Sequence, residues 1–278
     1  MEGRRELARK GVTEKRDRVL STTPTAFAPG PAAQCTLLWP AMQSDSPPAG
    51  DQPSEGSPPD TLASDTLAAA LTRHGIDLPA DRAAQLDRYC RLLWDWNVKL
   101  NLTRHTDYEK FVARDLVDTL VLARHLEKGD RVLDVGTGGG VPGVVLAIVR
   151  PDLKVALSES VGKKARAVEA IVRELGLKTP VHHCRAEDVF ARHAFDALTV
   201  RAVASLAKLL TWFQPHWHSF ERLLVIKGPA WVDERHAARE LGLFRKLQLR
   251  KLETWPLPGT DSESVLLEIR RKEQSVDE

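Results

Sequence analysis

Cysteine is scarce: three residues in 278, at positions 35, 90 and 184, with no CxxC pair among them. An odd, widely spaced set argues against a disulfide framework and a structural zinc site, so no metal is expected and a reducing cytoplasm is the simplest setting. Long apolar runs are lacking as well. None approaches the roughly 18–20 uninterrupted residues that span a bilayer, which excludes a membrane-spanning helix. Net charge is close to balance at +2, so a nucleic-acid surface must come from local clustering of Lys and Arg rather than from the total. Basic residues are missing altogether from residues 21–60, a segment that holds nine of the 17 prolines. Such a composition cannot bury enough apolar surface to offset its ordering entropy, and residues 1–60 read as a disordered extension. Residues 1–20 carry seven Lys/Arg but no compact apolar core, unlike a secretory signal. Glu2, Glu6, Glu14 and Asp17 count against a transit peptide, and a translational start at Met42 is an alternative reading of the same segment.

Beyond residue 60 the chain has clear periodicity. Thr66–His74 is Ala/Leu-rich and stops at Gly75; Ala80–Asn97 places Ala83, Leu86, Cys90 and Leu93 on one face; Tyr108–Leu126 turns Phe111, Leu116, Leu120 and Val121 inward. These spacings predict three helices, forming a cap region over residues 61–127. From residue 128 to 278 apolar runs alternate with helical segments. Strands are expected at Arg131–Val135, Val155–Ser158, Val181–Cys184, Ala197–Val200 and Leu223–Ile226. Helices are expected at Val144–Arg150, Val161–Leu175 (capped by Ser160, with Val161 on the buried face), Ser205–Phe213 and Trp231–Leu241. Alternation of this kind implies a mainly parallel sheet covered on both faces, an α/β Rossmann-like architecture. Lys251–Trp255 and Ser264–Arg270 flank a Pro/Gly turn and predict a terminal antiparallel hairpin.

The most informative stretch runs from Arg131 to Gly143, where a short strand ends in glycines and enters a helix. A dinucleotide fingerprint GxGxxG from Gly136 needs glycine at 141, where Val141 stands; the pattern present is GxGxG, at Gly136, Gly138 and Gly140. This argues against a dinucleotide-dependent oxidoreductase. S-adenosylmethionine has no pyrophosphate and so less need of the helix-terminal cradle that diphosphates use. Asp134, two residues ahead, suits its ammonium, directly or through water. Glu159, 23 residues after Gly136 at the end of the next apolar run, suits the ribose hydroxyls. The plain alternative is a βα turn followed by a solvated Glu. Arg185-Ala186-Glu187 closes the third strand, where backbone and side chain can flank an adenine or form a solvated pair.

Several segments together resemble one family over residues 65–272, the bacterial ribosomal RNA small subunit methyltransferase G (glucose-inhibited division protein B). They are Trp96-Asn97 with Asn101-Leu102-Thr103, Asp134-Val135-Gly136-Thr137-Gly138, Val141-Pro142-Gly143, and Ile148-Val149-Arg150-Pro151. Ser160-Val161-Gly162-Lys163-Lys164, Arg201-Ala202 with Ala204-Ser205, and Lys227-Gly228 complete the set. The resemblance implies S-adenosylmethionine-dependent methylation of guanine N7 in 16S rRNA, with the small ribosomal subunit or its RNA as partner. It places Gly136, Val141, Ala186, Glu187 and Arg201 at cofactor positions. Three residues depart from its pattern. Glu159 replaces an aspartate, Gly139 a common proline, and Asp115 stands where a histidine usually follows Arg114.

The chemistry implied needs little from the protein in the way of proton transfer. Guanine N7 carries a lone pair and no proton, so positioning and removal of water carry the rate. Arg201, at the end of the fourth strand, is the expected substrate- and cofactor-positioning residue; a salt bridge to a neighbouring carboxylate such as Glu187 is the structural alternative. Asn101 is expected at a lid over the target base or as a helix cap. Lys163 and Lys227 are the expected phosphate contacts, with Arg245, Lys246, Arg250 and Lys251 as a further basic cluster. Trp96 suits either core packing or base stacking. The rivals are a methyltransferase of another nucleic acid and a non-catalytic RNA-binding module. DNA amine methylation is disfavoured because Val200-Arg201-Ala202-Val203 stands after the fourth strand instead of an Asn/Asp-Pro-Pro-aromatic signature. A monomer suffices for all of this.

Overall fold

The computed structural model describes residues 66–272. Expectations for residues 1–60 and for a start at Met42 lie outside them.

The chain begins with helices. Thr66 caps α1 (Leu67–Arg73) through its side-chain oxygen, and Leu67, Ala70 and Leu71 are buried. A longer helix, α2 (Ala80–Leu100), buries Leu86, Tyr89, Cys90 and Leu93 and ends at Asn101 in the left-handed conformation. The predicted third helix is one continuous stretch of three parts: α3 (Tyr108–Lys110), a π-helical segment Phe111–Leu116, and α4 (Val117–Arg124).

The sheet then begins. In order come β1 (Arg131–Val135), α5 (Gly143–Val149), β2 (Lys154–Ser158), α6 (Gly162–Glu174), β3 (Val181–His182), α7 (Ala186–Phe190) and β4 (Phe195–Arg201). They are followed by α8 (Leu206–Phe213), β5 (Phe220–Lys227), α9 (Trp231–Glu240), β6 (Leu247–Pro256) and β7 (Glu263–Arg271). Strand order is β3-β2-β1-β4-β5-β7-β6. The first five strands pair in parallel, and β7 runs antiparallel between β5 and β6. The predicted α/β fold with its terminal hairpin is thus present.

Alternate residues of each strand feed two cores, as a period of two requires. Val132, Val155, Leu157, Ala197 and Leu224 join α5, α6 and the N-terminal helices on one face. Leu133, Ala156, Leu198, Val200 and Val225 join α7, α8 and α9 on the other. The cap helices therefore share one core with the sheet.

Three local expectations change. The β3 strand has two residues where four were expected; as the outermost strand it pairs on one side only. Ser160 does not cap α6: that position belongs to Val161, which is 48% exposed instead of buried. The Val161 amide instead donates to Glu159 Oε1 at 2.7 Å. The short α7 was not predicted from the sequence.

Candidate functional site

Parallel sheets collect ligand contacts at the carboxyl ends of strands, above all where successive connections leave in opposite directions. Here that point lies between β1 and β4, adjacent strands with Val135 opposite Val200. The Gly-rich turn leaves β1 there, Glu159 follows β2, Glu187 follows β3, and Arg201 ends β4.

Backbone hydrogen bonds fasten the turn to β2: the Gly136 and Thr137 amides both donate to the Ser158 carbonyl, at 2.8 and 3.1 Å. Gly138 has φ +57°, and a side chain added there would enter open space, with no atom nearer than the Gly136 carbonyl oxygen at 4.0 Å. Glycine keeps that space clear for a ligand to approach backbone. Gly143 has a different task. A Cβ there would run into Leu157 and lie 2.7 Å from Asp134 Oδ2, so only glycine lets α5 rest this closely on the sheet. Val141 is half-buried ahead of that helix.

Glu159, expected at a ribose, is already engaged by backbone amides. Glu159 is 6% exposed, and its Oε2 accepts the Gly138 amide at 3.0 Å while Oε1 accepts the Val161 amide. Each carboxylate oxygen can accept a second hydrogen bond. The cleared backbone at Gly138 and the oriented carboxylate beside it fit a ribose diol. Ala186 is buried at the first position of α7, and Glu187 is half-buried, 3.9 Å from Arg185. A depression of about 600 Å³ lined by Cys184, Glu187, Asp188 and Arg192 shares Glu187 with this site but none of the glycines.

Asp134 is turned inward. It is fully buried; Oδ2 accepts the Gly143 amide and Oδ1 the Thr199 hydroxyl, each at 3.0 Å. Burial raises its carboxyl to about 6 against the donors Thr137, Thr199 and the Gly143 amide. The expectation from the sequence is contact with an ammonium, directly or through water; the bonds present hold the turn against β4 and α5 and leave the carboxylate no exposed surface.

Arg201 forms the carboxylate salt bridge that was its structural alternative, with Asp115 and Asp118 in place of Glu187. Its Nη1 lies 2.7 Å from Asp115 Oδ1 and 3.1 Å from Asp118 Oδ2, leaving Nε and Nη2 available on a side chain 20% exposed. The aspartates are nearly sealed off at 1% and 4%. For Asp115, burial pushes the carboxyl up, but His105 and Arg201 outweigh it and leave it below the usual range. For Asp118, burial wins over Arg201 and Trp255 and the carboxyl stays raised. The next residue, Ala202, adopts φ +56°, a conformation uncommon for a residue with a Cβ and concentrated at functional sites.

The N-terminal helices close over the turn. Tyr89, fully buried in α2, donates its hydroxyl to the Gly139 carbonyl at 3.0 Å. A Cβ on Gly139 would lie 2.7 Å from Leu93 and 3.3 Å from Leu102, so the Asn101–Thr103 segment lies against the glycines. Asn101 itself is exposed and caps α2 through its backbone at φ +49°. Trp96 is half-buried beside the core, with Lys99 Nζ 6.0 Å from its ring.

Of the two lysines expected on phosphates, Lys163 is exposed at the start of α6. Lys227 is not: at 11% exposure its Nζ sits 2.7 Å from Glu234 and 2.5 Å from the Ala204 carbonyl. Because Glu234 also accepts the Leu206 amide, Lys227 ties β5 to α8 and α9, and phosphate contact would require that clamp to open.

Tyr89, His105, Asp118 and Trp255 lie around the turn and the Arg201 cluster, and the sequence does not single them out. Helical spacing marks Tyr89 only as core, and nothing local links Asp115 to Arg201 across 86 positions.

The fold and the Gly-rich turn define a Rossmann-like, class I methyltransferase architecture. A family model described as GidB, rRNA small subunit methyltransferase G, matches residues 82–256, and the chain belongs to that family. Proteins named ribosomal RNA small subunit methyltransferase G are similar to it. The one from Rhodopirellula baltica is 48% identical over 188 residues, 68% of this chain and 81% of that protein. Those from Yersinia enterocolitica and Pseudomonas paraeruginosa are 43% and 35% identical, covering 52% and 74% of this chain and 71% and 95% of their own lengths.

Proposed function

We propose that this chain transfers the methyl group of S-adenosylmethionine to N7 of a guanine in 16S rRNA, presented as RNA or within the small ribosomal subunit. The observation that carries the reading is Arg201 at the carboxyl end of β4, anchored through one nitrogen with two others available, beside the Gly136–Gly140 turn. Family membership supports the RNA substrate.

Each residue has its own part. Glu159 holds the ribose hydroxyls, Gly138 leaves room for the nucleoside to approach while Gly136 lets the turn pack on Val203, and Ala186 and Glu187 flank the adenine. Arg201 donates to guanine O6, which fixes the base while leaving the in-plane N7 lone pair free. The bound cofactor supplies a sulfonium methyl that is already activated. N7 has no proton to lose, so no side chain need act as general base, and orientation supplies roughly 7–11 kcal/mol of the rate enhancement. Lys163 contacts phosphate, and Asn101 sits at the rim of the target-base lid. The residue 61–127 region acts as the substrate-side cap and residues 128–278 as the methyl-transfer domain. A monomer in the cytoplasm suffices for this reaction.

Incubation with methyl-labelled S-adenosylmethionine and small-subunit RNA or whole subunits, followed by chemical cleavage at N7-methylguanine, tests the reading. Label that appears at one guanine supports it; no transfer to either substrate rejects it.

A further inference from the structure

The anchoring of Arg201 has an outer layer. Each of its two aspartates offers one oxygen to Nη1 and turns the other away. On Asp118 the outer oxygen accepts the Trp255 indole N–H at 2.9 Å. On Asp115 the outer oxygen, Oδ2, lies 3.0 Å from Nδ1 of His105. Two buried carboxylates share one guanidinium, and a buried carboxylate oxygen left without a donor is costly. His105 Nδ1 stands at ion-pair distance from Asp115 Oδ2 without being aligned as a hydrogen-bond donor, so a small turn of the ring completes or breaks the contact.

His105 is delivered by a segment that has no regular structure but is closely tied. The Thr103 amide donates to Asn97 Oδ1 at 2.8 Å, the His105 amide to Thr103 Oγ1 at 3.0 Å, and the Trp94 indole to the His105 carbonyl at 2.8 Å. Its side chain is 26% exposed while Asp115 is 1% exposed, so the ring stands between solvent and the buried cluster. Asp115 lies in the π-helical turn Phe111–Leu116, a distortion frequent at functional sites. The carboxylate of Asp115 thus has beside it an imidazole delivered from the loop after α2.

We propose that His105 is a positioning residue of the methyl-transfer site: by occupying Asp115 Oδ2 it holds Asp115 on Arg201 and aims the remaining guanidinium nitrogens at the target base. This rests on the function proposed above. His105 acts through Asp115 and touches no reacting atom. It differs from the Trp255–Asp118 contact in belonging to the segment that also packs on the glycine turn, through Leu102.

Steady-state methyl transfer to small subunits by the full chain, with S-adenosylmethionine affinity measured separately by calorimetry, tests the idea. His105→Ala lowers kcat roughly 10- to 100-fold, the range expected for a misplaced reactive group, with cofactor affinity unchanged within about twofold. His105→Asn places an amide nitrogen near the Nδ1 position and recovers most of the rate. In an Asp115→Asn background the His105→Ala change has little further effect, because residues acting on one another are non-additive. A wild-type rate for His105→Ala, no recovery with Asn, or full additivity with Asp115→Asn would each overturn the inference alone. Absence of transfer by the wild-type chain would overturn the function and this inference with it.

Discussion

Buried Asp134 illustrates how a single side chain can serve a ligand site without meeting the ligand. Its carboxyl is raised to about 6 by burial, so the folded chain holds a proton that the unfolded chain has released at the same pH. The stabilising contribution is complete below the unfolded value near 4 and is lost as pH rises through about 6. A carbon-13 titration of labelled protein should therefore show one carboxyl with a midpoint near 6 that vanishes in Asp134→Asn; no aspartate titrating above 5 would contradict the buried geometry. Glu159 is the opposite case, with both oxygens on loop amides and lone pairs to spare. Glu159→Ala should weaken S-adenosylmethionine binding roughly 10- to 100-fold, the loss expected for hydrogen bonds to a charged group. Unchanged affinity by calorimetry would remove the ribose assignment.

Among the elements, the β1–α5 unit is the most tightly constrained. Gly143 lets α5 meet Leu157 of β2 and Asp134 of β1 without a Cβ between them. Gly143→Ala should cost about 1–3 kcal/mol of stability, as overpacking does, and should reduce cofactor affinity because the preceding turn shifts with the helix. Thermal or denaturant unfolding reads the first effect and calorimetry the second; a variant as stable as wild type would show that the helix can retreat freely. The helical cap is coupled to the same unit, since Tyr89 of α2 bonds the Gly139 carbonyl.

For the molecule as a whole, the proposed RNA contact depends on which cations remain available. Lys163 is exposed, whereas Lys227 is held by Glu234 and the Ala204 carbonyl. Lys163→Ala should weaken RNA binding and reduce its log-log salt slope by about one, with stability unchanged. Lys227→Ala should instead lower stability by roughly 1–3 kcal/mol, as loss of a buried charge's partner does, leaving the salt slope intact. Filter binding across a salt series together with unfolding curves separates the two; a reduced slope for Lys227→Ala would return that residue to the RNA surface.

Local pattern in the chain determined the alternating strands and helices, the Gly-rich turn after β1, the acid after β2 and the terminal hairpin. Each of these is a short-range matter of period, turn chemistry or spacing, and each element lies within a few residues of its predicted bounds. The sequence could not determine what long-range packing decides: that Asp134 points inward, that Lys227 is captured by α9, or that β3 shrinks to two residues at the sheet edge. Nor could it bring His105, Asp115, Asp118 and Trp255 around Arg201. Those partners come from the loop after α2, the π-helical turn, α4 and β6, and only the folding of the helical cap onto the carboxyl end of β4 brings their charges close enough to act on one another.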